Sequence, residues 1–182
     1  MVCASEQAVI IDEAIYDEAV EMFKRFKVHF LSREEKKKLS KYMFGYSEND
    51  QGVENARLNP DIAGKSVAWI AKNAGIKVPD DAVILGVFCK NVGEKEPLSR
   101  EKLSPVLAFY KVKNEEEGID KADQMVRFNG LGHSAAIRCH DQALADRYGD
   151  RIPAMRIIWN APSTFGGIGN VYNSFLPSFT LG

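Results

Sequence analysis

Short apolar, β-branched runs alternate along this chain with stretches whose apolar residues recur every three or four positions. That alternation constrains the fold more than any other feature. Residues 6–12 (EQAVIID) are the first run and read as a buried strand. Ile15, Ala19, Val20, Phe23 and Phe26 then share one helical face, which predicts an amphipathic helix over residues 13–27. Ser32 and Glu35 form a capping-box pair that starts a second helix running to about Phe44, and its REEKKK run is a solvated face with charge pairs. The polar, turn-rich residues 45–60 read as an exposed loop. Helical spacing returns in Val67, Ile70 and Ala71, with Gly75 as the stop. Residues 82–89 (AVILGVFC) and 105–111 (PVLAFYK) are the second and third strands. Asn114, with Glu117 at the reciprocal position, caps a helix that Gly130 ends. Residues 134–139 give a fourth strand, 141–148 a short helix and 155–160 a fifth strand. The expected fold is α/β, a mostly parallel sheet with helices on both faces.

The chain has 182 residues, 45% hydrophobic and 27% charged, which suits a single core. A net charge of -1 gives no reason to expect nucleic acid or an anionic membrane as a partner. No apolar run approaches the roughly 20 residues that span a bilayer, and the first residues show no secretion signal. Cys3, Cys89 and Cys139 are odd in number and lack CxxC spacing. This argues against a disulfide framework or a zinc site and for reduced thiols in the cytoplasm. His29, His133 and His140 are not spaced as a helical metal site, so no metal is expected. The chain opens almost directly on a strand and closes on FLPSFTLG, and the expectation is a piece of a longer protein.

In open parallel sheets ligands collect beyond strand ends. The groups there able to do chemistry are Cys3 before the first strand, Glu101 between the second and third, and His133 at the mouth of the fourth. The Gly-rich STFGGIGN after the fifth strand is a further loop candidate. A thiol beside backbone amides can act as a nucleophile at neutral pH, although a lone cysteine is more often inert. A bland reading also exists for His133, as a structural or surface residue, and for Glu101, as an exposed carboxylate. Cys89 and Cys139 sit in apolar runs and read as small core residues. Neither GxGxxG nor GxxxxGK[ST] occurs, so an NAD site must come mostly from other sequence, or NAD is not bound.

Four segments narrow these alternatives: VCASEQAVIID around Cys3, EPLSREKLSPVLAFY around Glu101, GLGHSAA around His133, and APSTFGGIGNVYNSFLPSFTLG. In this order they resemble the CoA-acylating aldehyde dehydrogenase module of bifunctional aldehyde–alcohol dehydrogenases, over essentially the whole chain. The resemblance implies the catalytic domain of the aldehyde dehydrogenase superfamily across residues 1–182, without its NAD-binding domain. It implies that Cys3 attacks the aldehyde carbonyl, that NAD takes a hydride from the thiohemiacetal, and that CoA releases the resulting thioester as acyl-CoA. His133 would assist the CoA step, a task suited to an imidazole near neutral pH. Glu101 would hold the nicotinamide ribose. Ser163, Thr164, Phe165 and Gly166 would wall a pocket for a short-chain aldehyde such as acetaldehyde. The resemblance further implies a homo-oligomer in the full protein, serving alcohol fermentation. Two other readings compete: an inert fragment concerned with folding or assembly, and a hydrolytic aldehyde dehydrogenase, against which CASEQ and GLGHSAA argue.

Overall fold

A computed structural model of the chain describes residues 3–170 and 174–177. Strands β1 (Ala8–Asp12), β2 (Val28–Phe30), β3 (Ile84–Phe88) and β4 (Val106–Val112) form one sheet in the order β1-β4-β3-β2. Strands β5 (Gly132–Ile137) and β6 (Ala154–Trp159) form a second, two-stranded sheet. Every pairing among the described residues is parallel, as the alternation predicts.

The helices cover both faces because side chains alternate along each strand. Leu85, Val87, Val106, Ala108 and Tyr110 face a core built with α2 (Arg33–Phe44) and α3 (Val67–Ala74), through Leu39, Met43, Val67 and Ile70. Leu107, Phe109, Ile11 and Val28 face the other way, onto Tyr16, Ala19 and Phe23 of α1 (Tyr16–Arg25). Helices α4 (Glu115–Asn129) and α5 (Gln142–Arg151) pack Ile119, Ala122 and Tyr148 against Ala135, Ile137 and Ile157 of the small sheet. Ile10 of β1 touches both the first and the third cluster, and so joins the two sheets.

Local chemistry fixes the helix ends. Ser32 accepts from Glu35 N while the Glu35 carboxylate accepts from Ser32 N at 2.9 Å, closing the expected box. Asn114 Oδ1 accepts from Glu117 N at 3.0 Å and starts α4. Gly75 stops α3 in the left-handed conformation at φ 67°.

Several expectations change. The helix expected through Lys27 ends at Arg25, because Lys27 takes φ 66° and turns the chain into β2. That strand has only three residues, too few for a periodic signal. The expected exposed loop over residues 45–60 is exposed only in part: Asn49, Gln51 and Arg57 face solvent, while Ser47, Val53 and Ala56 are buried beside a 3-10 turn at Val53–Asn55. The Gly-rich STFGGI stretch is helix α6 (Ser163–Ile168) rather than a loop. Cys139 lies beyond the end of β5, half-buried, with its Sγ on Asp141 O, and is not a core residue.

Cys89 does lie in the core, beside a buried ionisable cluster. Burial pushes its thiol up from 9.0 to about 12, reinforced by the Glu96 carboxylate and opposed by the ammonium groups of Lys36 and Lys102. A thiol raised in the fold contributes stability that is complete below pH 9 and is lost as pH rises from there towards 12. For one group the slope reaches about 1.4 kcal/mol per pH unit. Urea unfolding at intervals from pH 8 to 10.5 should therefore show a shallower loss with pH in Cys89→Ala than in the unsubstituted chain. Parallel profiles would contradict this.

Candidate active site

Cys3, Glu101 and His133 precede or open β1, β4 and β5 at their amino ends, and pairwise contacts link their segments to one another and to that of Ser163. Open α/β sheets more often bind ligands at the carboxyl ends of their strands. Cys3 is exposed on the turn leading into β1, and the next residue, Ala4, is buried. Ser163 Oγ donates to Ala4 O at 3.0 Å, and Ser163 N donates to Glu6 Oε1 at 3.0 Å. The Glu6 carboxylate thus satisfies one of the unpaired N–H groups at the start of α6.

The glycines of α6 explain how it lies so close. A Cβ on Gly166 would sit 2.8 Å from Ile158, and one on Gly167 would sit 3.0 Å from the Ala4 Cβ and 3.1 Å from Ser134 Oγ. These glycines serve close packing of a helix on the β1 turn and the small sheet. They are therefore no measure of how large a substrate fits. Arg156 on β6 fastens the far end of α6, donating to Gly167 O and, at 3.2 Å, to Leu176 O.

Glu101 reaches the same region from the turn before β4. Its backbone N donates to Asn129 Oδ1 at 2.6 Å, at the end of α4. Its half-buried carboxylate accepts no hydrogen bond from the described residues. The adjacent Lys102 is wholly buried, and its ammonium donates to Leu98 O at 3.0 Å and Arg100 O at 2.8 Å. Burial pulls that ammonium down to about 8, partly offset by Cys89 and Glu96. Leu103 follows at φ 46°, a left-handed conformation that costs a side-chain-bearing residue on the order of 1–3 kcal/mol. Its carbonyl accepts from Gly64 N at 3.0 Å, which helps hold the turn.

His133 is the second residue of β5. Ser134 N donates to His133 Nδ1 at 2.8 Å, so the neutral ring carries its proton on Nε2. Strand alternation places His133 with Ala135 and Ile137, towards α4, and Ser134 on the α6 side. The structure thus brings together the backbones around Cys3, Ser163, Gly167 and Ser134, and separately ties Glu101 to the residue that ends α4. Direct contact between the side chains of Cys3, Glu101 and His133 is not among the described interactions. Thr164 lies in α6, half-buried, and Phe165 lies there by its backbone, its side chain being outside the described residues. Residues 171–173 and 178–182 of the last motif are also outside them. The reading of the sequence missed Gln7 and Asn129, whose side-chain amides join these segments. Gln7 lies inside a motif and Asn129 just ahead of one, and nothing else in the sequence marks them.

No protein-family model matches the chain. Among solved structures, an acetylating aldehyde dehydrogenase from Geobacillus thermoglucosidasius superposes on all of this chain with a TM-score of 0.88 and 40% identity, over 38% of its own length. The fold of this chain is therefore similar to that of a part of this enzyme. The chain is 56% identical over all 182 residues to an aldehyde-alcohol dehydrogenase of Streptococcus pneumoniae. It is 54% identical over the same length to aldehyde-alcohol dehydrogenase 2 of Entamoeba histolytica. The chain is thus homologous along its whole length to a segment of aldehyde–alcohol dehydrogenases, and it spans 21% of the length of both.

The Ser163–Ala4 bond is the test of this assembly. Ser163→Ala leaves a buried carbonyl unpaired, at a cost of about 1–3 kcal/mol. Urea denaturation should show that loss, and an unchanged midpoint would mean that α6 does not depend on the β1 turn.

Proposed function

We propose that this chain is the cysteine-bearing catalytic domain of a CoA-acylating aldehyde dehydrogenase. It would interconvert a short-chain aldehyde, acetaldehyde first, and its acyl-CoA through a thioester on Cys3. The observation that carries the reading is the set of contacts that links the four resembling segments: Gln7 with Lys102, Ala4 with Ser163, and Gly167 against Ser134.

Cys3 is exposed at a fixed turn, so its thiolate can reach a carbonyl carbon. Attack forms the Cys3 Sγ–carbon bond and moves the carbonyl electron pair onto oxygen. The backbone N–H of Cys3 offers one hydrogen bond to that oxyanion. Oxidation leaves a thioester on Cys3, and attack by the CoA thiol then breaks the Cys3 Sγ–acyl bond to release acyl-CoA. His133 would take the CoA thiol proton on Nδ1, once that nitrogen leaves Ser134 N–H. Glu101 would hold the ribose of a nicotinamide cofactor, since its backbone is held by Asn129 while its carboxylate accepts no hydrogen bond from the described residues. NAD, when bound, supplies the hydride acceptor, held mainly by a domain outside this sequence. Ser163, Thr164, Phe165 and Gly166 carry the wall of the site, with α6 as its support.

The reading includes a cytoplasmic setting, a role in alcohol fermentation and a homo-oligomeric parent protein. No helix among the described residues is long and apolar enough to cross a membrane. Exposed Ile15, Met22 and Phe26 at α1 suit self-association.

Acyl transfer from acetyl-CoA to Cys3 needs no NAD, which makes it a direct test. Incubation with acetyl-CoA should add one acetyl group by intact-mass spectrometry, and Cys3→Ala should abolish it. An adduct that persists in Cys3→Ala, or none in the unsubstituted chain, would favour a catalytically inert piece concerned with folding or assembly.

A further inference from the structure

The turn that carries Cys3 needs a fixed reference if its sulfur is to meet a carbonyl in a productive geometry. α6 supplies one support, through Ser163. A second comes from Gln7, the last residue of the CASEQ segment, whose side-chain amide makes two hydrogen bonds in opposite directions. Its Nε2 donates to Ser5 O at 3.1 Å, within the Cys3 turn. Its Oε1 accepts from Lys102 N at 2.9 Å, next to Glu101. Its backbone carbonyl also accepts from Ala108 N at 3.2 Å, so the residue is seated in the β1–β4 ladder.

The far end of this bridge is rigid. Lys102 is wholly buried, and its ammonium closes the preceding turn on the carbonyls of Leu98 and Arg100. The Arg100 guanidinium lies 4.8 Å over the ring of Phe128 in α4, and Glu101 N is bonded to Asn129 one residue later. The dipeptide 101–102 is therefore gripped by α4 on one side and by Gln7 on the other.

We propose that Gln7 is a positioning residue for acyl transfer, fixing the turn of Cys3 relative to the buried Glu101–Lys102 turn. It touches no reacting atom; it sets where the Cys3 sulfur stands. The proposal rests on the acyl-transfer reading of Cys3. The chemistry it serves in the NAD-independent direction is balanced: Cys3 Sγ bonds to the acetyl carbon, the acetyl–sulfur bond to CoA breaks, and CoA leaves as its thiol with the proton from Cys3.

The test compares two reactions at the same sulfur in the full 182-residue chain. Acetylation by acetyl-CoA demands a defined approach, whereas alkylation by iodoacetamide does not. Misplacement by about 1 Å can cost roughly 100-fold in an oriented reaction. In Gln7→Met, acetylation of Cys3 should slow by about 10- to 100-fold, with alkylation and the melting temperature close to those of the unsubstituted chain. Gln7→Glu keeps the acceptor for Lys102 N but loses the donor to Ser5 O, so acetylation should stay slow while the Lys102 amide stays protected. Hydrogen exchange at the Lys102 amide should accelerate in Gln7→Met, while the Ala108 amide stays protected. Equal acetylation rates in Gln7→Met and the unsubstituted chain would overturn the positioning role and leave the acyl-transfer reading intact. Equal slowing of acetylation and alkylation would also overturn it, as general loss of the fold. No acetylation of the unsubstituted chain would instead remove the reading on which the role rests.

Discussion

A charged ammonium taken wholly out of water must be met by oxygen, and Lys102 meets this demand by folding the turn of residues 98–102 around itself. The rest of the site hangs on that turn. It presents Glu101 with its backbone held by Asn129, offers Lys102 N to Gln7, and leads into Leu103, which is left-handed before β4 begins. A turn tied this tightly to the interior is a stable platform for groups that have to be held within fractions of an ångström.

Around the platform, tolerance for close approach decides the architecture. Gly166 and Gly167 let α6 lie against Ile158, Ala4 and Ser134, where any Cβ would intrude. The first residue of that helix then bonds the carbonyl beside Cys3. The last quarter of the sequence thus supports its first residues across 159 positions.

The α/β class and the parallel sheet were legible because strand and helix periods differ, and runs such as AVILGVFC and PVLAFYK carry the strand signal plainly. The three-residue β2 was not, since so short a segment has no period. α6 was not either, because its glycines read locally as a loop and are explained only by the surfaces that press on them. Cys3, Glu101 and His133 stood out as chemistry-bearing residues at strand ends, but what tied them to a reaction was the resemblance of their segments. Gln7 and Asn129 were not legible at all: an amide with two bonding directions looks ordinary until its partners, 95 and 28 positions away, are known.

The most direct test of the account is a crystal structure of the chain after incubation with acetyl-CoA. The account predicts an acetyl carbon bonded to Cys3 Sγ, with Ser163 Oγ on Ala4 O and Lys102 N on Gln7 Oε1. Acetyl density on Cys139, or a Cys3 turn detached from both α6 and Gln7, would contradict it.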